Sequence, residues 1–229
     1  MKLILLPYAG GSKNSYRAFE SIKSHNIEFI TPELPGRGTR IGQAPLLSIQ
    51  GMAKDVLEQV QHLISEPYAI FGHSMGALVA YELCKLLIEQ ERVLPVRAIF
   101  SANGAPYLSR PNRKISQLPD QEFFHSLKGY SGLPEELIRN PKAFHLFSSY
   151  IRSDFKAVET YRYYKSLPLP IPLSVLIGSD DYVTPGMAYA WSKETRKDFD
   201  VQVFTGDHFY IFSNKDLLIK YFEQKLFTY

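Results

Sequence analysis

The stretch Tyr68-Ala69-Ile70-Phe71-Gly72-His73-Ser74-Met75-Gly76-Ala77-Leu78-Val79-Ala80-Tyr81 decides how this chain is read. An apolar run ends in Gly72-His73-Ser74-Met75-Gly76, and a strongly helical segment follows. The pattern is G-x-S-x-G in the context of strand, sharp turn and helix, with one Ser at the apex. So tight a turn strains the Ser backbone. It needs Gly72 and Gly76 because a side chain at either would collide with the neighbouring strand or helix. The strain holds the Ser oxygen out at the end of a sheet. The helix N-terminus beneath it offers free N–H groups and a positive dipole end to a developing negative charge.

Around this stretch the chain alternates apolar runs with helical segments. Strands are expected at Lys2–Leu6, Ile27–Thr31, Tyr68 onward, Val96–Ala102, Pro172–Ile177 and Phe199–Phe204. Helices are expected at about Tyr16–Ser24, Ile49–Ile64, Met75–Glu89, Gly186–Lys197 and Asn214–Lys225. Continuous apolar strands separated by helices specify an α/β fold with a mostly parallel central sheet covered on both faces. At 229 residues and 45% hydrophobic content, one domain spanning 1–229 fits better than two small ones.

From about 105 to 167 the pattern changes. Helical pieces at Asp120–Lys128, Pro134–Arg139 and Pro141–Tyr164 replace strands. They are dense in rings, among them Phe123, Phe124, Tyr130, Phe144, Phe147, Tyr150, Phe155 and Tyr161. An apolar helical insertion between two sheet strands reads as a lid over a site at the strands' carboxyl ends, with more than half of its rings packing as core.

Composition excludes several classes. A net charge of +3 is far from a nucleic-acid-binding balance. The single cysteine, Cys84, allows no internal disulfide. No apolar run approaches transmembrane length. The opening Met1–Pro7 lacks a cleavage pattern and reads as a buried first strand, so a cytoplasmic protein without a membrane partner is expected.

Three strand-end loops carry chemistry in the order Ser74, then Asp180 or Asp181, then His208. That is the chain order of α/β-hydrolases. A Ser hydroxyl needs a base to take its proton, and neutral His does so near pH 7. A carboxylate fixes the imidazole tautomer and stabilises the imidazolium. The strand ending at Ala102 supplies no carboxylate, which leaves the Gly178–Asp181 loop. Asp181 is favoured because it lies past the turn, with Asp180 as the alternative. Of six histidines, His25, His62, His125 and His145 fall on helices or their ends. His73 flanks the Ser but cannot easily swing back onto it, and His208 alone follows a strand end after the acid. The Gly10-Gly11 loop lacks the Lys-Ser/Thr of a phosphate-binding loop. In a hydrolase it supplies the Ala9 N–H as an oxyanion donor beside the Met75 N–H.

Several segments together resemble type II thioesterases, the stand-alone α/β-hydrolases that serve non-ribosomal peptide and polyketide synthases. These are Leu6–Ser12, Glu33-Leu34-Pro35-Gly36-Arg37, Gly72–Gly76, Ile151-Arg152-Ser153-Asp154-Phe155 with Glu159 and Tyr161, Gly178–Asp181, and Gly206–Tyr210. The resemblance covers nearly the whole chain. It implies hydrolysis of acyl or aminoacyl thioesters on the phosphopantetheine arm of a carrier protein, with no cofactor and no metal, by a monomer. It places the nucleophile at Ser74, the acid at Asp181, the base at His208 and the oxyanion donors at Ala9 and Met75. Departures are Asp207 where Gly is usual, and no acidic residue near Gly38. An inward-facing Asp207 would raise the pKa of the base. Competing readings are a general carboxylesterase or lipase, and a non-catalytic carrier-protein binder. Arg110, Arg113, Lys114, Arg139, Lys142, Arg152 and Lys156 on the lid side are candidates for steering an acidic partner.

Overall fold

The computed structural model describes residues 1–20, 26–108, 114–127 and 141–227. Among them six strands form one parallel sheet: β1 Lys2–Leu6, β2 Glu28–Ile30, β3 Tyr68–His73, β4 Ala98–Ser101, β5 Leu173–Gly178 and β6 Phe199–Phe204, in the order β2-β1-β3-β4-β5-β6. The helices are α1 Arg17–Glu20, α2 Ile49–Val60, α3 Met75–Glu89, α4 Asp120–Leu127, α5 Pro141–Thr160, α6 Pro185–Tyr189, α7 Tyr210–Ser213 and α8 Lys215–Phe227. The expected piece at Pro134–Arg139 lies outside the described residues.

Alternation along the strands sorts the core into two layers. Ile4, Leu6, Ile70, Phe100, Val175 and Ile177 face α2 and α3, against Val56, Leu78 and Tyr81. Leu3, Leu5, Phe71, Ile99 and Leu176 face the other way, against Tyr16, Phe19, Leu218 and Phe222. Both faces are covered at the centre of the sheet, which is why the inner strands read as largely apolar runs, whereas the edge strands β2 and β6 carry Glu28, Asp200 and Gln202. A third, smaller cluster of Phe123, Leu127, Tyr150 and Ile151 joins α4 to α5. Among the described residues, no helix is long and apolar enough to cross a membrane.

Boundaries have local causes. The Ser48 hydroxyl caps α2 by accepting from Gly51 N–H at 3.1 Å. Thr184 caps α6 with Pro185 in the first turn. The single helix expected over Gly186–Lys197 breaks into α6 and a 3-10 turn, Ala190–Glu194. Leu169 and Thr195 form a parallel bridge, with Leu169 N–H bonded to Glu194 O and Arg196 N–H to Leu169 O, so the chain is pulled straight at 195. Strand β4 stops short of Ala102, whose φ of 53° turns the chain.

The order of the sheet reverses between β1 and β3, and such a switch point is where open α/β sheets bind ligands. Leu6 pairs with Gly72 there, so the loops after β1 and β3 emerge side by side. A Cβ on Gly72 would sit on the carbonyl of Gly76, and one on Gly76 would sit on the carbonyl of Leu6. Strand β3, helix α3 and strand β1 therefore touch backbone to backbone. Gly76→Ala is expected to destabilise the fold by about 3 kcal/mol, the upper end for overpacking, because the obstacle is backbone. Urea denaturation checks it, and a loss under about 1 kcal/mol would mean that α3 can slide away from β1.

Candidate active site

Ser74 stands between β3 and α3 with φ 55° and ψ −113°, a conformation rare for a residue with a side chain. Its N–H bonds to Ser101 O at 2.8 Å, and the Asn103 amide donates to its carbonyl at 2.8 Å. The Asn103 carbonyl in turn accepts from Trp191 Nε1 at 2.8 Å. The loop after β4, noted in the sequence only for lacking a carboxylate, thus holds the strained turn from both ends.

His208 follows β6, at the edge of the sheet next to β5, whose loop carries Asp181. Its Nε2 lies 2.9 Å from Ser74 Oγ, and its Nδ1 lies 3.0 and 3.1 Å from the two oxygens of Asp181. The Asp181 side chain is fully buried and the His208 side chain is 15% exposed. Asp180 is exposed and accepts from the Ser179 hydroxyl at 2.9 Å, turned away from His208. The structure thus joins Ser74, His208 and Asp181 in one line of hydrogen bonds and leaves Asp180 outside it. Tyr182, 65% exposed, stacks on the His208 ring with centroids 5.1 Å apart. Nothing in the spacing of the sequence singled it out. Asp207 is exposed, and its carboxylate accepts from Phe209 N–H at 2.8 Å. It does turn chemistry and is not the inward-facing carboxylate considered above.

Met75 opens α3, so its N–H has no acceptor within the helix. Ala9 lies on the loop after β1, whose start at Leu6 and Pro7 passes against Gly76. Gly10, with φ of 80°, and Gly11 follow. Their polar groups run to a buried ion pair. Asp154 Oδ2 accepts from Gly10 N–H at 2.8 Å, and Arg37 Nη1 donates to Gly11 O at 2.8 Å. Arg37 and Asp154 make two bonds of 2.7 Å to each other, with side chains 1% and 0% exposed. Burial pulls the Arg37 pKa down. Contacts with Asp154, and smaller ones with Tyr150 and Glu33, together leave it raised. Both residues stood in quoted sequence segments, but their pairing did not show there. Near Gly38 the missing acidic residue is replaced in space by Glu33, whose carboxylate accepts from Lys13 N–H at 2.9 Å and packs where a Cβ on Gly38 would be.

The basic residues of the lid side divide. Arg152 is spent internally, donating to the Ser116 and Leu118 carbonyls and pairing with Asp120. Lys114 and Lys156 are exposed. Arg110, Arg113, Arg139 and the Lys142 side chain lie outside the described residues.

Beneath His208 lies a second histidine. His73 is fully buried, its Nδ1 2.8 Å from Ser101 Oγ, which is itself 2.6 Å from Tyr210 OH. Its ring is 5.4 Å from that of His208.

The thioesterase domain model matches residues 1–226. The chain belongs to the thioesterase family. This thioesterase is 30% identical over 227 residues to the gramicidin S biosynthesis protein GrsT of Aneurinibacillus migulanus, covering 99% of this chain and 89% of that one. It is 32% identical to thioesterase PikA5 of Streptomyces venezuelae, covering 92% and 75%. Among solved structures it superposes on ClbQ of the colibactin NRPS/PKS pathway with a TM-score of 0.90 at 30% identity, covering 97% and 95%. On the type II thioesterase BorB of the borrelidin cluster the TM-score is 0.87 at 32% identity, covering 99% and 91%. It is a serine hydrolase that acts on thioesters.

Complete burial, and after it the neighbouring His208, hold the His73 pKa well below its ordinary 6.5. Below that value the unfolded chain takes up a proton that native His73 refuses. Its stabilising contribution is whole above 6.5 and is lost as pH falls toward the native pKa. Thermal melts from pH 7.5 to 5 should therefore show a drop that His73→Asn makes shallower. The difference should amount to about 1.4 kcal/mol per pH unit at most. Identical slopes for the two proteins would mean that His73 is not the group responsible.

Proposed function

We propose that this thioesterase hydrolyses acyl or aminoacyl thioesters carried on the phosphopantetheine arm of a carrier protein, clearing the arms of a non-ribosomal peptide or polyketide synthase. The single observation that carries the mechanism is the 2.9 Å contact between His208 Nε2 and Ser74 Oγ, backed by Asp181 on Nδ1. Ser74 Oγ attacks the thioester carbonyl while its proton passes to His208 Nε2. The carbonyl π pair moves to oxygen, between the N–H groups of Ala9 and Met75. Collapse breaks the C–S bond, and the thiol leaves with the proton from His208. Water then repeats the sequence on the acyl-Ser74 ester, releasing the acid and restoring the Ser hydroxyl. Asp181 keeps the tautomer and stabilises the imidazolium.

The names of the relatives support the carrier-protein substrate, since they belong to peptide and polyketide pathways. In this reading residues 105–167 form a lid on a single domain spanning 1–229, with α4 and α5 as its described part. The chain works as a monomer in this reading, since Ser74, His208 and Asp181 are already joined within one chain and need no second copy. A cytoplasmic place fits its one cysteine, Cys84, which is buried as a free thiol.

The test is release of free thiol from a panel of acylated carrier proteins, against matched oxygen esters. Ser74→Ala and Asp181→Asn should each lower turnover by about 10³-fold or more, while Asp180→Asn stays within about threefold. Turnover by Ser74→Ala at the parent's rate would sink the mechanism. A preference for the oxygen esters would move the protein to the carboxylesterases.

A further inference from the structure

The loop after β1 closes one internal turn, Gly11 N–H bonding to Tyr8 O at 2.9 Å, and is otherwise held from outside. It runs through Ala9, Gly10 and Gly11, and the two glycines have no side chains to pack. Its N-terminal side is fixed by the pairing of Leu6 with Gly72. Its C-terminal side is fixed from across the molecule. Gly10 N–H ends on Asp154, Gly11 O on Arg37, and Tyr150 OH reaches Gly10 O at 3.4 Å. Asp154 and Tyr150 lie on α5, and the Arg37 guanidinium sits over the Tyr150 ring, 4.5 Å from its centre. We infer that the Arg37–Asp154 pair is a positioning device for the oxyanion loop, so that the seating of α5 sets where the Ala9 N–H points. This rests on the acyl-transfer reading of Ser74 above.

The pair has a simpler alternative role, that of tethering α5 to the body. The two roles predict different losses. A tether that fails loosens the insertion, which lowers the melting temperature and weakens substrate binding. A positioning device that fails leaves binding in place and loses the transition state, because the donor must meet the oxyanion and not the ground-state carbonyl.

The decisive variant is the double change Arg37→Met with Asp154→Leu. It removes both anchors without leaving a buried charge alone. Asp154→Asn, which keeps an acceptor for Gly10 N–H, is the milder companion and carries the test if the double variant does not fold. Four quantities are measured: kcat and KM on an acyl-pantetheine thioester, affinity for the matching trifluoromethyl ketone, and affinity for the matching thioether without a carbonyl. The ketone reports on the oxyanion site. Ser74 Oγ bonds to its carbonyl carbon, the π pair moves to oxygen, and the proton goes to His208 Nε2.

In the double variant, kcat and ketone affinity should each fall by about 10- to 100-fold, the scale of a misplaced donor. KM and thioether affinity should stay within about threefold, and Asp154→Asn should fall between that variant and the parent. Ketone affinity unchanged in a folded double variant overturns the inference. So does an equal loss for ketone and thioether, which would make the pair a tether. If the parent forms no ketone adduct at Ser74, the acyl-transfer reading falls first and takes this inference with it.

Discussion

Backbone meets backbone where β1, β3 and α3 converge, and the rest of the structure is arranged to permit it. Gly72 and Gly76 remove the two Cβ atoms that would push these elements apart. What remains is a turn too sharp for an ordinary residue, with Ser74 at φ 55°. Strain of this kind costs about 1–3 kcal/mol and persists only where the surroundings over-determine it. Here Ser101 holds the N–H of Ser74 and Asn103 its carbonyl, and Trp191 holds Asn103. The same close approach brings the loop after β1 beside the first N–H of α3. One steric constraint thus places both the half-buried Ser74 and the glycine loop after β1.

Around this centre buried polar groups pair across elements distant in sequence, although Arg37 Nε and His73 Nε2 find no hydrogen-bond partner among the described residues. Arg37 and Asp154 tie the loop after β2 to α5, and both reach the glycines after β1. Tyr81 and Tyr163 share Glu194, while Tyr161 holds Glu82, so the chain leaving α5 is bonded to α3 and to the 3-10 turn before β6. Removing one partner of a buried ion pair costs about 3–5 kcal/mol, although the intact pair is worth little against an apolar replacement. Such pairs specify an arrangement more than they stabilise it. That fits their location, next to groups that must be aimed.

The fold and the line of reacting groups were legible because their signals are local. Buried parallel strands read as apolar runs, and Ser74 follows one, while His208 follows the edge strand β6, where apolar residues alternate with Asp200 and Gln202. Asp181 was favoured over Asp180 for lying past the turn, but its burial against His208 and the exposure of Asp180 are set by tertiary structure. The early end of this helical stretch at Glu194 was invisible because it depends on a bridge from Leu169 to Thr195. Arg37 and Asp154 were visible as residues and invisible as a pair, being 117 positions apart. His73 shows the same limit: its place beside Ser74 was plain, but its bond to Ser101 required the register of β3 against β4.

That separation in sequence bears on when the protein becomes competent. Gly10 meets Asp154 across 144 positions, and Ser74 meets His208 across 134. Contacts this distant close only after the intervening chain has collapsed around the sheet. A nascent chain that has already made β1, β3 and the Ser74 turn has neither a base nor a fixed loop to set beside them. In the proposed mechanism Ser74 therefore gains its base only once the loop after β6, 134 positions away, has docked beside it.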